Sequence, residues 1–158
     1  MINTECRSIL FVCTGNICRS PTAEGVFRTW LSREAPNWSC AIDSAGTQGY
    51  HVGEAPDPRS IAAAGRRGYD ISALRARRVT PTDFARFDWI LAMDETHLIA
   101  LESMAPADGR ARLACFLDLW PAAPRRDVPD PYYGGPADFE LVLDLVESAT
   151  RALITSSR

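Results

Sequence analysis

The chain has 158 residues, of which 46% are hydrophobic and 23% charged, and its formal net charge is −3. This length and composition predict a single domain spanning residues 1–158, and no apolar run reaches the roughly 18 residues of a membrane helix. All 17 basic residues are arginine, which excludes a Walker-type lysine site and Schiff-base chemistry. The weakly acidic balance argues against nucleic-acid binding. With two histidines in the chain, we expect no metal site and no cofactor.

The cysteine pattern predicts a reducing compartment. Five cysteines occur, the number is odd and no C-x-x-C pair is present. The stretch before the first apolar run has no basic region typical of a secretory signal peptide. We therefore expect reduced thiols in a cytoplasmic protein without a membrane partner.

Strands and helices alternate along the chain. Short apolar runs predict strands at 8–13, 38–44, 88–93 and 112–119. Helical spacing predicts helices from Ser20 (as N-cap, with Pro21 in the first position), over 58–67, just after Thr80-Pro81, and over 95–104 and 138–154. This alternation is typical of βαβ crossovers, so we expect an α/β fold with three layers, a parallel four-stranded sheet and helices on both faces.

The first strand is followed by the segment with the clearest chemistry, CTGNICRS at residues 13–20. In parallel sheets ligands bind beyond the carboxyl ends of the strands, where this loop lies. Gly15 and Asn16 both tolerate a positive φ, so the loop can fold its backbone N–H groups around an anion. The predicted phosphate-binding residues are the loop members Thr14, Gly15, Asn16, Ile17, Cys18 and Ser20.

Three side chains complete a phosphoryl-transfer site in this interpretation. The guanidinium of Arg19 binds two phosphate oxygens at once, and the positive field of the loop and helix N-terminus favours the thiolate of Cys13. A thiolate beneath a phosphoryl group is a nucleophile in line with the ester bond. The departing oxygen needs a proton, and Asp130, between two prolines in the long loop 121–136, is the candidate acid.

At this point the residues resemble a known family, the low-molecular-weight protein tyrosine phosphatases of bacterial type. The matching segments follow in order along nearly the whole chain: CTGNICRSPTAEGVF from residue 13, DSAGT from 43, HVG from 51, MDE from 93 and DPYY from 130. The resemblance implies Cys13 as nucleophile, Arg19 as phosphate clamp and Asp130 as general acid and then base.

The resemblance also carries the finer expectations. It implies the strand order 2-1-3-4, hydrogen bonds from Asn16 and Ser44 that hold the loop, and a pocket walled by Tyr50, Tyr132 and Tyr133. It implies hydrolysis of phosphotyrosine on a protein substrate, a cognate tyrosine kinase as a further partner, and reversible protection of Cys13 by Cys18. One position departs from the family: Leu74 stands where a histidine helps to brace the loop asparagine.

Three alternatives remain open. A protein arginine phosphatase has the same fold. The resemblance implies that arginine phosphatases have a threonine at the position where this chain has Ile17. An arsenate reductase on this scaffold needs resolving cysteines downstream, and residues 91–97 contain none. A phosphate-binding module without activity is disfavoured by the presence of Cys13, Arg19 and Asp130 together.

A basic stretch is the last feature of note. Six arginines between residues 59 and 78 predict either a solvated face or a surface that steers phosphorylated or acidic partners. They are Arg59, Arg66, Arg67, Arg75, Arg77 and Arg78.

Overall fold

A computed structural model of the chain describes residues 2–157. Its centre is a parallel four-stranded sheet in the order β2-β1-β3-β4, as expected. The strands are β1 (Ser8–Cys13), β2 (Ala41–Gly46), β3 (Trp89–Ala92) and β4 (Arg112–Cys115). Because β1 lies between β2 and β3, its carboxyl end at Cys13 lies between the carboxyl ends of these two strands.

The helices cover both faces of this sheet. They are α1 (Arg19–Glu34), α2 (Pro58–Arg66), α3 (Asp83–Arg86), α4 (Glu95–Met104) and α5 (Pro136–Ser156). Alternate residues of a strand point to opposite faces. Accordingly Ile9 and Phe11 lie in a core shared with α1, α2 and α5, whereas Leu10 and Val12 lie in a second core shared with α3 and α4. The three-layer prediction is confirmed.

Two strand boundaries predicted from the sequence are wrong. The second strand runs over Ala41–Gly46 rather than 38–44, since β1 pairs with it in the register Ser8↔Ala41 to Cys13↔Gly46. The fourth strand ends at Cys115, and the predicted remainder, Phe116–Leu119, is a 3₁₀ helix. β3 ends at Ala92, the partner of Cys115, so no ladder partner is left for the following residues.

The helix predictions for 58–67, 95–104 and 138–154 hold to within two residues at each end. The short helix near Thr80-Pro81 is also present, at Asp83–Arg86. No helix within residues 2–157 is long and apolar enough to cross a membrane.

Candidate active site

A cavity of about 310 Å³ opens at the carboxyl end of the sheet. It brings together ten of the residues singled out in the sequence, which come from three separate segments of the chain. Its lining comprises Cys13, Thr14, Gly15, Ile17, Cys18, Arg19, Tyr50, Asp130, Tyr132 and Tyr133, together with His51. Asn16, Ser20 and Ser44 lie behind this lining and contact one another there.

The tight turn after β1 depends on Gly15 and Asn16 within the loop and on Gly46 at the end of β2. Asn16 has a φ of 58°, a left-handed conformation that asparagine tolerates better than most residues. A Cβ on Gly15 would lie 2.9 Å from the ring of His51, and one on Gly46 would lie 2.5 Å from the carbonyl oxygen of Thr14. Both glycines therefore permit close approach of neighbouring groups to the loop.

The loop carbonyls are hydrogen-bonded to groups outside the loop. Four such bonds are present: Cys13 O from Thr47 N–H (2.9 Å), Thr14 O from Gln48 N–H (3.0 Å), Ile17 O from Asp57 N–H (2.8 Å) and Cys18 O from Thr22 Oγ1 (2.7 Å). In a trans peptide the N–H and C=O groups point in opposite directions. The N–H groups that follow these carbonyls are thus turned away from the outside partners, an arrangement that suits anion binding.

A chain of polar contacts runs from Cys13 into the protein interior. The Cys13 Sγ lies 3.0 Å from the Oγ of Ser20, and the Asn16 side-chain amide donates to both Ser20 Oγ (2.8 Å) and Ser44 Oγ (3.0 Å). Ser44 donates in turn to the carboxylate of Glu24 at 2.6 Å. All five side chains are almost inaccessible to solvent, so this chain of contacts fixes the rear of the loop.

Ser20 differs from its prediction as a helix N-cap. The N-cap position is Cys18, helix α1 begins at Arg19, and no side-chain capping bond is made. The hydroxyl of Ser20 is instead occupied by Asn16 and Cys13, which lie closer to the turn. Pro21 remains in the first turn, where its missing N–H costs no hydrogen bond.

The remaining acceptor of Asn16 is satisfied by the main chain. Its Oδ1 accepts from the N–H of Arg77 at 3.0 Å, and the Arg77 guanidinium bonds to Asp43 and Asp83. Leu74, at the position of the family histidine, packs against the core that contains α1 and α5. The brace on Asn16 thus comes from Ser20, Ser44 and Arg77 without any group at position 74.

The guanidinium of Arg19 is held firmly at Nη1 and more loosely at Nη2. Its Nη1 donates to the carboxylate of Asp94 (2.7 Å) and to the carbonyl of Val128 (3.0 Å). The Nη2 atom lies 3.4 Å from the Nε2 of His97 and 3.8 Å from the carboxylate of Asp130. Because Arg19 is 4% exposed, these contacts fix a cation in the cavity floor with its second edge directed at the site.

Asp94 and His97 support this cation from α4. Burial acts to raise the pKa of Asp94, but hydrogen bonds from Thr96 and Arg19 outweigh it, and the pKa is lowered below its usual value. Burial and the charge of Arg19 lower the pKa of His97 to about 4, so its ring is neutral near pH 7. The Nε2 of His97 lies at hydrogen-bond distance, 2.8 Å, from Thr14 Oγ1.

The mouth of the cavity is formed by the loop that carries Asp130. The Asp130 side chain is half exposed, and its Oδ1 accepts from the N–H of Tyr132 at 3.1 Å. The rings of Tyr132 and Tyr133 are in edge-to-face contact at 5.0 Å, and the Arg59 guanidinium lies 5.5 Å from the Tyr132 ring centre. The aromatic mouth is therefore adjacent to the half-exposed carboxyl group of Asp130.

The second cysteine of the loop is a buried thiol. Burial raises the pKa of Cys18 to about 12, although a hydrogen bond with Ser60 acts in the opposite direction. The thiol is therefore protonated near pH 7 and 5% exposed. No disulfide joins any of the five cysteines, and within residues 2–157 no three His, Cys, Asp or Glu side chains are grouped as a metal ion requires.

Sequence reasoning missed several residues that hold this site. Arg77, Asp94 and His97 contact loop residues or Arg19, and Glu24 accepts from Ser44, which itself contacts Asn16. A weak signal existed for two of them: Glu24 and Asp94 lie within segments that carry the family resemblance. Nothing local marks Arg77, since its contact with Asn16 is made by a backbone N–H.

Comparison with known proteins identifies the family. The family model described as low molecular weight phosphotyrosine protein phosphatase matches residues 8–157. A low molecular weight protein-tyrosine-phosphatase of Streptomyces coelicolor is 42% identical over 153 residues, which is 95% of this chain and 93% of that protein.

Solved structures show the same arrangement of elements. A protein tyrosine phosphatase from Entamoeba histolytica has a TM-score of 0.89 at 37% identity and covers 95% of this chain and 96% of its own. An arginine phosphatase from Drosophila has a TM-score of 0.87 at 26% identity, over 94% of this chain and 96% of its own. The chain therefore belongs to the low molecular weight phosphotyrosine protein phosphatase family and is a phosphatase that acts on phosphoproteins.

Proposed function

We propose that this protein hydrolyses phosphotyrosine through a cysteinyl-phosphate intermediate. The observation that carries the proposal is the position of Cys13 in the lining of a cavity that also contains Arg19 and Asp130. The thiol, the cation and the carboxyl group come from two distant parts of the chain. Their meeting in one cavity supplies the nucleophile, the phosphate clamp and the acid that the reaction requires.

In the first step the phosphate is held by loop N–H groups and by the guanidinium of Arg19. The Cys13 thiolate attacks phosphorus, an S–P bond forms and the P–O bond to the phenol breaks. Asp130, protonated at this stage, donates its proton to the departing oxygen. The anchoring of Arg19 by Asp94 and Val128 fixes the guanidinium before substrate arrives, which reduces the reorganisation needed in the transition state.

In the second step the cysteinyl phosphate is hydrolysed. Asp130, now a carboxylate, removes a proton from a water molecule that attacks phosphorus, and the S–P bond breaks. The thiolate leaves with both electrons of that bond, and the hydroxyl of Ser20, 3.0 Å from the sulfur, donates a hydrogen bond to it. Inorganic phosphate is the product, and Asp130 ends protonated for the next cycle.

The shape of the cavity favours an aryl phosphate. Tyr50 and Tyr133 are 74% and 93% exposed, so their rings stand at the mouth, whereas Cys13 is 3% exposed beneath them. A phosphate on a long aromatic side chain reaches such a thiol, and ring contacts at the mouth add about 0.5 to 1.5 kcal/mol beyond area burial. A phosphoserine side chain is shorter and has no ring to stack.

Phosphoarginine is the second candidate substrate, because one solved structure of this fold is an arginine phosphatase. Ile17 lines the cavity in this chain and presents an apolar side chain. A guanidinium bound against it would lose water without gaining acceptors, which is costly. Ile17 therefore favours a phenyl ring over a guanidinium.

The test is hydrolysis of p-nitrophenyl phosphate and of a phosphotyrosine peptide in EDTA, with and without vanadate. We expect turnover without metal, inhibition by vanadate and no turnover by Cys13→Ser. Turnover is lost because serine is scarcely ionised at neutral pH. The substitution leaves the loop intact, so the variant should still bind phosphate-like ligands. Cys115→Ser, a change at a buried cysteine outside the cavity, is the matched control. Retained activity in Cys13→Ser would remove this residue as the nucleophile.

A further inference from the structure

The six arginines of the basic stretch fall into distinct environments. Three are bound to carboxylates: Arg59 to Asp57, Arg67 to Glu140, Asp144 and Glu147, and Arg77 to Asp43 and Asp83. Arg75 turns back onto the carbonyls of Ser72 and Leu74. Arg66 and Arg78 are exposed and form no ion pair with any carboxylate in residues 2–157.

Of these two unpaired cations, Arg78 lies beside the cavity. Its backbone pairs with Gly46 as an isolated parallel bridge, and Gly46 is itself the ladder partner of Cys13. Adjacent strands are about 4.8 Å apart, which places the Cα of Arg78 about 10 Å from that of Cys13. Arg78 thus lies at the same level as the candidate nucleophile, at the same edge of the sheet.

The stem of the Arg78 side chain runs along the loop that carries Tyr50. Its Cδ is 3.7 Å from the position that a Cβ on Gly49 would occupy. The backbone around it is held on both sides, since Gly46 donates to Arg77 O (2.8 Å) and Val79 donates to Gly46 O (2.9 Å). A backbone held on both sides therefore carries this unpaired cation beside Gly49, the neighbour of Tyr50 in the cavity lining.

We propose that Arg78 is a specificity-determining residue that binds an acidic side chain of the substrate close to the phosphotyrosine. This rests on the proposed function. In an extended peptide each residue advances about 3.3 Å, so a separation of about 10 Å corresponds to a residue two or three positions away. An acidic residue at that distance from the phosphotyrosine meets the guanidinium when the phosphate lies over Cys13.

The acidic groups near the mouth already have partners, so none of them is available to pair with Arg78. Glu54 is exposed, but its carboxylate contacts the Nδ1 of His51 at 2.5 Å. Asp130 faces Arg19, and Asp57 is held by Arg59. The acidic groups nearby therefore have cationic or imidazole partners of their own, while Arg78 has none among residues 2–157. The chain has a net charge of −3, which does not attract an acidic substrate, whereas the unpaired Arg78 attracts an acidic side chain locally.

The experiment compares kcat/KM for pairs of phosphotyrosine peptides that differ at one position, which carries glutamate in one peptide and glutamine in the other. In successive pairs this position lies two or three residues before, and two or three residues after, the phosphotyrosine. For the wild type we expect a preference of about two- to five-fold for glutamate at one or more positions, in line with an exposed ion pair. The preference should disappear in 0.5 M NaCl, where the screening length is only a few ångströms. In Arg78→Gln it should fall to about one.

Two controls separate this proposal from other outcomes. Arg66→Gln removes another exposed and unpaired charge, at the carboxyl end of α2, and it should keep the wild-type preference. Arg78→Gln should hydrolyse p-nitrophenyl phosphate, which has no flanking residues, at the wild-type rate. A glutamate preference that survives in Arg78→Gln, or no preference in the wild type, overturns the proposal. Absence of phosphotyrosine hydrolysis by the wild type would instead contradict the proposed function.

Discussion

The side-chain oxygen of Asn16 accepts a hydrogen bond from the backbone N–H of Arg77 at 3.0 Å. Both hydrogens of the same amide are donated to serine hydroxyls, those of Ser20 and Ser44. Asn16 is 2% exposed, so an unsatisfied group there would be costly. The loop is therefore braced by a backbone group, and side-chain identity at position 74 does not enter the brace.

This arrangement predicts the effect of restoring the family histidine at position 74. Leu74→His places a polar ring against an apolar core, so we expect the free energy of unfolding to fall by about 1 to 3 kcal/mol. We expect no rise in kcat, because Asn16 already has partners for its oxygen and both hydrogens. Urea unfolding and p-nitrophenyl phosphate kinetics measure the two effects, with Leu74→Met as the apolar control. A clear increase in kcat for Leu74→His would contradict this view of the loop.

Asp130→Asn tests the proton donor. For phenyl phosphate, whose phenolate is a poor leaving group, we expect kcat/KM, which reports the first step, to fall by a factor of about 10² to 10⁴. For p-nitrophenyl phosphate, whose p-nitrophenolate departs without a proton, the loss in kcat/KM should be much smaller. Asp127→Asn is the matched control, since Asp127 lies in the same loop but its carboxylate accepts from the N–H of Glu95. An equal loss of kcat/KM on both substrates would indicate a structural role for Asp130.

Mild peroxide should link Cys13 to Cys18. Peroxide oxidises the Cys13 thiolate to a sulfenic acid, and the Cys18 thiol then displaces water to form the disulfide. Cys18 itself should escape direct oxidation, because burial raises its pKa to about 12 and keeps it protonated. Peptide mapping should find the disulfide, and dithiothreitol should restore activity. In Cys18→Ser the same treatment should cause irreversible loss; over-oxidised Cys13 beside a free Cys18 in the wild type would contradict this prediction.

Stability should depend on pH through His97. Its pKa in the folded protein, about 4, lies below the ordinary value of 6.5, because burial and Arg19 oppose the charged ring. As the pH falls from 6.5 to 4, the unfolded state binds the proton first, so folded stability is lost across this window. The loss from this residue is about 3 to 4 kcal/mol at most, since each pKa unit corresponds to about 1.4 kcal/mol.

Urea unfolding at pH 7 and pH 4.5 measures this effect. His97→Gln keeps a polar group near Thr14 but does not titrate, so its free energy of unfolding should fall less between the two pH values. An unchanged dependence in His97→Gln would show that other groups, such as Asp94, control the acid loss.

Ile17→Thr tests the choice between the two candidate substrates. The change places a hydroxyl in the cavity lining, where it can accept from a guanidinium. We expect the ratio of kcat/KM for phosphoarginine over phosphotyrosine peptides to rise, even if both activities fall. Ile17→Val, which keeps the lining apolar, should leave the ratio near that of the wild type. A wild-type kcat/KM for phosphoarginine equal to or above that for phosphotyrosine would contradict the proposed substrate.

The sequence alone was sufficient to predict the fold class and to locate the candidate phosphate-binding loop at residues 13–20. Both depend on local patterns: apolar runs and helical spacing predict the alternation of strands and helices, and a cysteine, a glycine and an arginine at short fixed spacing mark the loop. The sequence showed that Gly15 and Asn16 both tolerate the left-handed conformation, and the structure decided that Asn16 adopts it and Gly15 does not. Recognition of the family supplied the strand order and brought Asp130 and the tyrosines to the same site.

The tertiary structure decided which groups hold those residues in place. Asp94 and His97 reach Arg19 and Thr14 because β3 lies beside β1 in the sheet, and Arg77 reaches Asn16 because its backbone extends the sheet beyond β2. These contacts join residues more than 60 positions apart, for which no periodicity or spacing gives a signal. The end of β4 at Cys115 has the same origin, since a strand stops where its neighbour offers no further backbone partners.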